Sequence, residues 1–201
     1  MEKLIRALTG RCRPFARQWL LPLCLLACVL PQLRPVEAQT VSREDATERQ
    51  IKAAYLSKFG SYVKWPDHAF ATPDTPLKIG IVGDDMLADD LEQLVAGHAV
   101  NGRPVTVHKL HHDDPVKGLN MLFIGRAASS QLADILAMTK GLPMLTITES
   151  EDALALGSTI NFVIVDGRVR FEVAPKTASL GNLNISARLL AAAYKVAPGA
   201  S

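Results

Sequence analysis

The residues best able to do chemistry fall in three places. His108, His111 and His112 are followed by Asp113 and Asp114, and imidazole with carboxylate is a ligand set for zinc or copper. Their spacing matches no defined metal site, and a solvated loop at a strand end is the plainer reading. Gly83-Asp84-Asp85 stands where a strand gives way to a helix, the usual place for a phosphate loop. It has neither the GxGxxG nor the GxxxxGK[ST] pattern, and two carboxylates repel an anion. A receiver-type phosphoacceptor pocket wants an aspartate ending the third strand, where this chain reads Ile124-Gly125-Arg126. The acidic pair suits a helix N-terminus instead. No GxSxG elbow is present, so no catalytic residue, metal ligand or cofactor is expected.

The third place is Asn161, Arg168, Arg170 and Glu172. The guanidinium is a rigid donor fork suited to carboxylates, and arginine is enriched where proteins meet. These four residues are the candidates for partner or ligand binding, through a protein surface or a small carboxylate-bearing molecule. The competing reading is a solvated sheet face with cross-strand ion pairs. Tyr62 and Trp65 read first as packing at a helix end, with an interface as the alternative.

The element that must position the four residues runs from Thr159 to Val173, TINFVIVDGRVRFEV. Two β-branched runs flank Asp166-Gly167, a strong signal for a two-residue hairpin turn. That turn sets Ile160 opposite Val173, Asn161 opposite Glu172, Phe162 opposite Phe171, Val163 opposite Arg170, Ile164 opposite Val169 and Val165 opposite Arg168. Ile160, Phe162, Ile164, Val169, Phe171 and Val173 then share an apolar face, and the four candidates share the other with Val163 and Val165. A slip of one residue would scramble that division.

Around the hairpin, residues 40–64 read as one amphipathic helix carrying Ile51, Tyr55, Phe59, Tyr62 and Val63, ended by Pro66. From Leu77 strands and helices alternate. Strands are expected at 77–82, 104–110, 120–124 and 144–148, with helices from Asp85 to Ala96 and around Leu132, Ile135 and Leu136. Ser150 is read as the cap of a short helix to Leu156. A helical segment after Pro175 and a final helix capped by Asn184, with Ile185, Leu189, Ala192, Ala193 and Val196 as its stripe, close the chain. The pattern is α/β: a mainly parallel mixed sheet with helices on both faces and a C-terminal antiparallel hairpin at its edge.

The 201 residues suit one domain plus a processed segment. Lys3, Arg6, Arg11, Arg13 and Arg17 precede the apolar run Trp19–Leu30, and Val36-Glu37-Ala38 resembles a cleavage site. The expected organisation is a signal peptide over 1–38 and a single domain over 39–201, exported to the periplasm. Leu25-Leu26-Ala27-Cys28 loosely resembles a lipobox, so a lipoprotein anchored at Cys28 is one competing reading and an uncleaved anchor is another. All three cysteines, Cys12, Cys24 and Cys28, lie within the leader. The mature chain would hold no disulfide, thiolate metal site or cysteine nucleophile. The formal charge of +2 also belongs to the leader, which holds six basic and two acidic residues. The slightly acidic remainder lacks the basic field of a nucleic-acid binder.

Together these residues carry a family resemblance. Ala53-Ala54-Tyr55-Leu56-Ser57-Lys58-Phe59-Gly60-Ser61-Tyr62-Val63-Lys64-Trp65-Pro66 resembles the opening signature of the YfiR family. Ile160-Asn161-Phe162-Val163 with Gly167-Arg168-Val169-Arg170-Phe171-Glu172 is similar to its hairpin, and Leu183-Asn184-Ile185-Ser186-Ala187-Arg188-Leu189-Leu190 to its closing helix. The resemblance covers about residues 51–196. It implies a periplasmic α/β regulator that is not an enzyme and forms homodimers. It also implies repression of an inner-membrane diguanylate cyclase, relieved when an outer-membrane lipoprotein sequesters the repressor, with biofilm formation and motility as outputs. Relatives of this type carry disulfides, which the mature chain lacks, so redox control does not carry over and a different partner comes into play. The rival reading is a periplasmic small-ligand module feeding a sensor kinase or another membrane protein.

Overall fold

The computed structural model describes residues 37–198. Residues 1–36, which hold most of the expected signal peptide and all three cysteines, and residues 199–201 lie outside the described residues. Helix α1 (Glu37–Phe59) passes through a 3-10 turn, Gly60–Tyr62, into the two-residue strand β1 (Val63–Lys64). The helix thus ends earlier than its apolar spacing predicts. The chain past Phe59 is taken by tertiary pairing: Val63 and Lys64 face Ile185 and Asn184 of β9 (Asn184–Ile185) in a small antiparallel sheet. Gly60 lets this turn pack closely on β2, since a Cβ there would come within 2.7 Å of Leu77 Cδ2.

The alternating part follows as β2 (Leu77–Val82), α2 (Asp85–Val95), β3 (Ala99–Val100), β4 (Arg103–Leu110), β5 (Met121–Ile124), α3 (Leu132–Thr139), β6 (Leu145–Thr148), α4 (Ala153–Leu156), β7 (Ile160–Val165) and β8 (Arg168–Val173). The chain closes with α5 (Pro175–Leu180), β9, α6 (Ala187–Ala192) and β10 (Lys195–Val196). Two expected caps move. Asp152, at positive φ, precedes α4 in place of Ser150. Ser186, not Asn184, caps α6 by accepting from the Leu189 N–H at 3.3 Å. Asn184 and Ile185 are held in β9 instead, and Val196 in β10, so the last helix is only six residues long.

The eight-stranded sheet has the order β10-β8-β7-β6-β5-β2-β4-β3. Strands β4, β2, β5, β6 and β7 run parallel. The β7–β8 hairpin has the register read from its turn, from Ile160 opposite Val173 to Val165 opposite Arg168. Asp166 and Gly167 both take positive φ, at 48° and 68°, as a two-residue turn requires. The hairpin is not the last element of the sheet, because β10 adds a short parallel pair beyond β8.

Period-two alternation along the central strands feeds two cores. Ile79, Ile81, Met121, Phe123, Leu145 and Ile147 pack on one face with Ala53, Leu56 and Phe59 of α1 and Leu87 and Leu91 of α2. Val82, Leu122 and Ile124 pack on the other with Leu132, Ile135 and Leu136 of α3. The apolar face of the hairpin joins the first core through rings: Phe171 lies 5.3 Å from Tyr55 and 5.2 Å from Phe59, centroid to centroid. Ile164 alone of that face is exposed.

Candidate functional site

In an open α/β sheet, ligands bind outside the carboxyl ends of the strands, where the strand order reverses. Here the chain runs from β2 outward to β4 and then back to β5 on the other side, so the reversal lies between β2 and β5. The two strand ends are pressed together. The Gly125 N–H donates to Val82 O at 2.8 Å, and a Cβ on Gly125 would come within 2.9 Å of Gly83 O. Asp84 is occupied as the cap of α2, accepting from the Leu87 N–H at 2.9 Å. His108, His111 and His112 are exposed. Asp114 Oδ2 accepts from the His111 N–H at 2.7 Å and meets its ring at 3.3 Å. The backbone hydrogen bond of His111 is the chief cause holding the Asp114 carboxyl below its usual value. Among the described residues no group of His, Cys, Asp and Glu is placed to hold a metal ion.

One strand along, a cavity of about 510 Å³ opens past the carboxyl ends of β5 and β6 against β7. Its charged wall is a network that the sequence reading passed over. Lys52 of α1, 5% exposed, donates to the carboxylates of Glu48 and Glu149. Arg126 Nη2 lies 3.0 Å from Glu48 Oε1 and 3.5 Å from Glu149 Oε2, and the Arg126 N–H donates to Glu149 Oε1 at 2.9 Å. Burial pushes the Glu48 carboxyl up, but Lys52 and Arg126 outweigh it and hold it below its ordinary value. One signal in the sequence marks this network. Lys52 stands four and seven residues before Leu56 and Phe59, on the buried stripe of α1, with Glu48 one turn earlier. The hydroxyl of Ser150, which also lines the cavity, is buried without a hydrogen-bond partner.

The four residues predicted from the hairpin share one face and separate in depth. Arg168 and Arg170 are exposed, and neither has an ion-pair partner among the described residues. Glu172 is half-buried, 3.9 Å from Lys195 of β10. Asn161 is 5% exposed and lines the cavity. Its Oδ1 accepts from Thr148 Oγ1 at 2.8 Å and from the Ser150 N–H at 3.2 Å. Asn161 therefore belongs with the cavity and the buried Thr146, Thr148, Ser158 and Thr159 rather than with the open surface. Trp65 donates to Gly60 O at 3.2 Å and packs edge-on to Phe70, and Tyr62 is half-buried against the first core.

The molecule is thus an α/β domain that presents an arginine-bearing sheet face and a polar cavity. Over residues 49–194 it matches the family model described as YfiR/HmsC-like, and the chain belongs to that family. The family is one of periplasmic regulators concerned with cyclic di-GMP signalling. No curated protein matches the chain. A solved structure with the same fold is that of a conserved domain protein from Vibrio cholerae O1 biovar El Tor str. N16961. It is 8% identical with a TM-score of 0.51, over 74% of this chain and 60% of that one. The chain therefore spans under two thirds of that structure.

Proposed function

We propose that this protein is exported by cleavage after Ala38 and represses a membrane signalling enzyme, a diguanylate cyclase, by binding its periplasmic region. The observation that supports this most is the pair of exposed arginines on the mixed face of the hairpin, without charge partners among the described residues. An arginine fork with no internal carboxylate is free to meet one on a partner. Val163 and Val165, half-buried between them, add the apolar surface that a protein contact needs. Binding represses if it favours the inactive state of the enzyme, by as much as its affinity differs between the two states. Homodimer formation and release by an outer-membrane lipoprotein belong to the same proposal and rest on the family.

Deleting the gene should raise cyclic di-GMP and surface attachment, and restoring the parent chain should reverse both. The Arg170→Glu chain should stay folded, fail to capture the cyclase from detergent extracts, and fail to lower cyclic di-GMP. Unchanged cyclic di-GMP in the deletion strain, across growth conditions, would sink the reading.

A further inference from the structure

Beside the arginine face, β7 has an unpaired edge, and the cavity lies against it. Hydrogen bonds fix which way its main chain points. Thr159 O accepts from the Ala174 N–H on the β8 side, whereas Ile160 O accepts from Thr148 Oγ1 and Ser158 Oγ on the β6 side. Main-chain groups alternate along an antiparallel strand, so Phe162 and Ile164, like Ile160, turn theirs away from β8. Strand β6 ends at Thr148, opposite Asn161. Past that point no strand among the described residues remains to pair with Phe162 O or with the N–H and O of Ile164. The cavity occupies the vacated row, with Arg126 and Ser129 across from β7 and Lys52 of α1 at its side.

We propose that this slot takes a short extended segment of a partner protein, laid beside β7 as an added strand with an acidic side chain against Arg126. An open row of main-chain donors and acceptors asks for another main chain, and strands lie about 4.8 Å apart. Strand β5 ends at Ile124, level with Thr148, and the turn that follows it brings Arg126 and Ser129 across from β7, so the segment lies between that turn and β7. Charge selects the segment. The side chain of Arg126 is 64% exposed and shares only Nη2 with Glu48 and Glu149, leaving Nη1 and Nε for an incoming carboxylate. Ile164, 50% exposed beside Ile51, offers an apolar contact to side chains on the α1 face of the segment. The slot adjoins the arginine face, with Val163 and Asn161 in its lining, and its use does not require the cyclase.

The test uses the purified protein and a phage-displayed library of short random peptides, with no membrane partner present. Selection should recover β-branched sequences containing an acidic residue. Synthetic copies should slow hydrogen exchange at the Ile164 amide. Ile164→Pro removes an N–H that β8 does not use, and should weaken the selected peptides about tenfold or more. Ser129→Trp, a change at an exposed turn, fills the slot mouth and should do the same should the proline variant misfold. The proposal is overturned if selection yields no peptide, if the peptides bind both variants as tightly as the parent, or if Ile164 exchange does not change.

Discussion

Lys52 shows what a single residue does to this architecture. Its ammonium group is buried with two carboxylates, and a buried charge is tolerable only while it is paired. Lys52→Met leaves Glu149, whose side chain is 6% exposed, with Arg126 as its remaining cation. The substitution should cost about 3 kcal/mol in urea unfolding. Adding Glu149→Gln to Lys52→Met should recover much of that loss, because the uncompensated charge is then gone; a Lys52→Met chain as stable as the parent would show the network to be idle. Asn161 carries the complementary lesson. Its face was legible from the Asp-Gly turn, since cross-strand pairing follows from register alone. Its depth was not, because that depends on Thr148 of the neighbouring strand and Ser150 just past its end. Arg168 and Arg170 were legible in both respects, lying next to a turn where little else can cover them.

Among the elements, α1 is held to the sheet by two means. Its second half packs through Ala53, Leu56 and Phe59, while Glu48 and Arg49 tie it by charge to Arg126 and to Asp90, the latter at 2.8 Å. The tie through Glu48 has a pH dependence with a definite sign. The folded-state pKa of Glu48 lies below the ordinary value of 4.5. Between the two values the unfolded chain binds the proton and the folded chain does not. The stabilisation is therefore complete above the ordinary value and is lost as pH falls through the lowered one. Melting temperatures followed downward from pH 7 should show Glu48→Gln below the parent at neutrality and converging with it under acid. A gap that stays constant through that range would exclude the tie. The elements read well from sequence were those with local causes: β2 from an apolar run broken only by Lys78, α2 from the acidic pair at its N-terminus, the hairpin from its turn. The two-residue strands β1, β9 and β10 were not read, since each exists only through a partner distant in the chain.

Over the whole molecule, the doubly covered sheet was legible from the alternation of strands and helices, because parallel neighbours need crossovers and crossovers cover both faces. The strand order was not, since nothing local decides on which side of β2 the chain lays down β5. That order makes the two cores dependent on each other. Strands β2 and β5 give alternate side chains to each, so neither core survives without the strands that define the other. Leu91 of α2 is fully buried in the first core and Ile135 of α3 is 1% exposed in the second. Leu91→Ala and Ile135→Ala should each cost about 2–5 kcal/mol and lower one shared unfolding transition, with far-ultraviolet circular dichroism and tryptophan fluorescence moving together. Trp65 packs against the first core, so its fluorescence reports that core directly. If Ile135→Ala lowered the helical signal while the environment of Trp65 kept the parent midpoint, the cores would be independent and the sheet would not couple them.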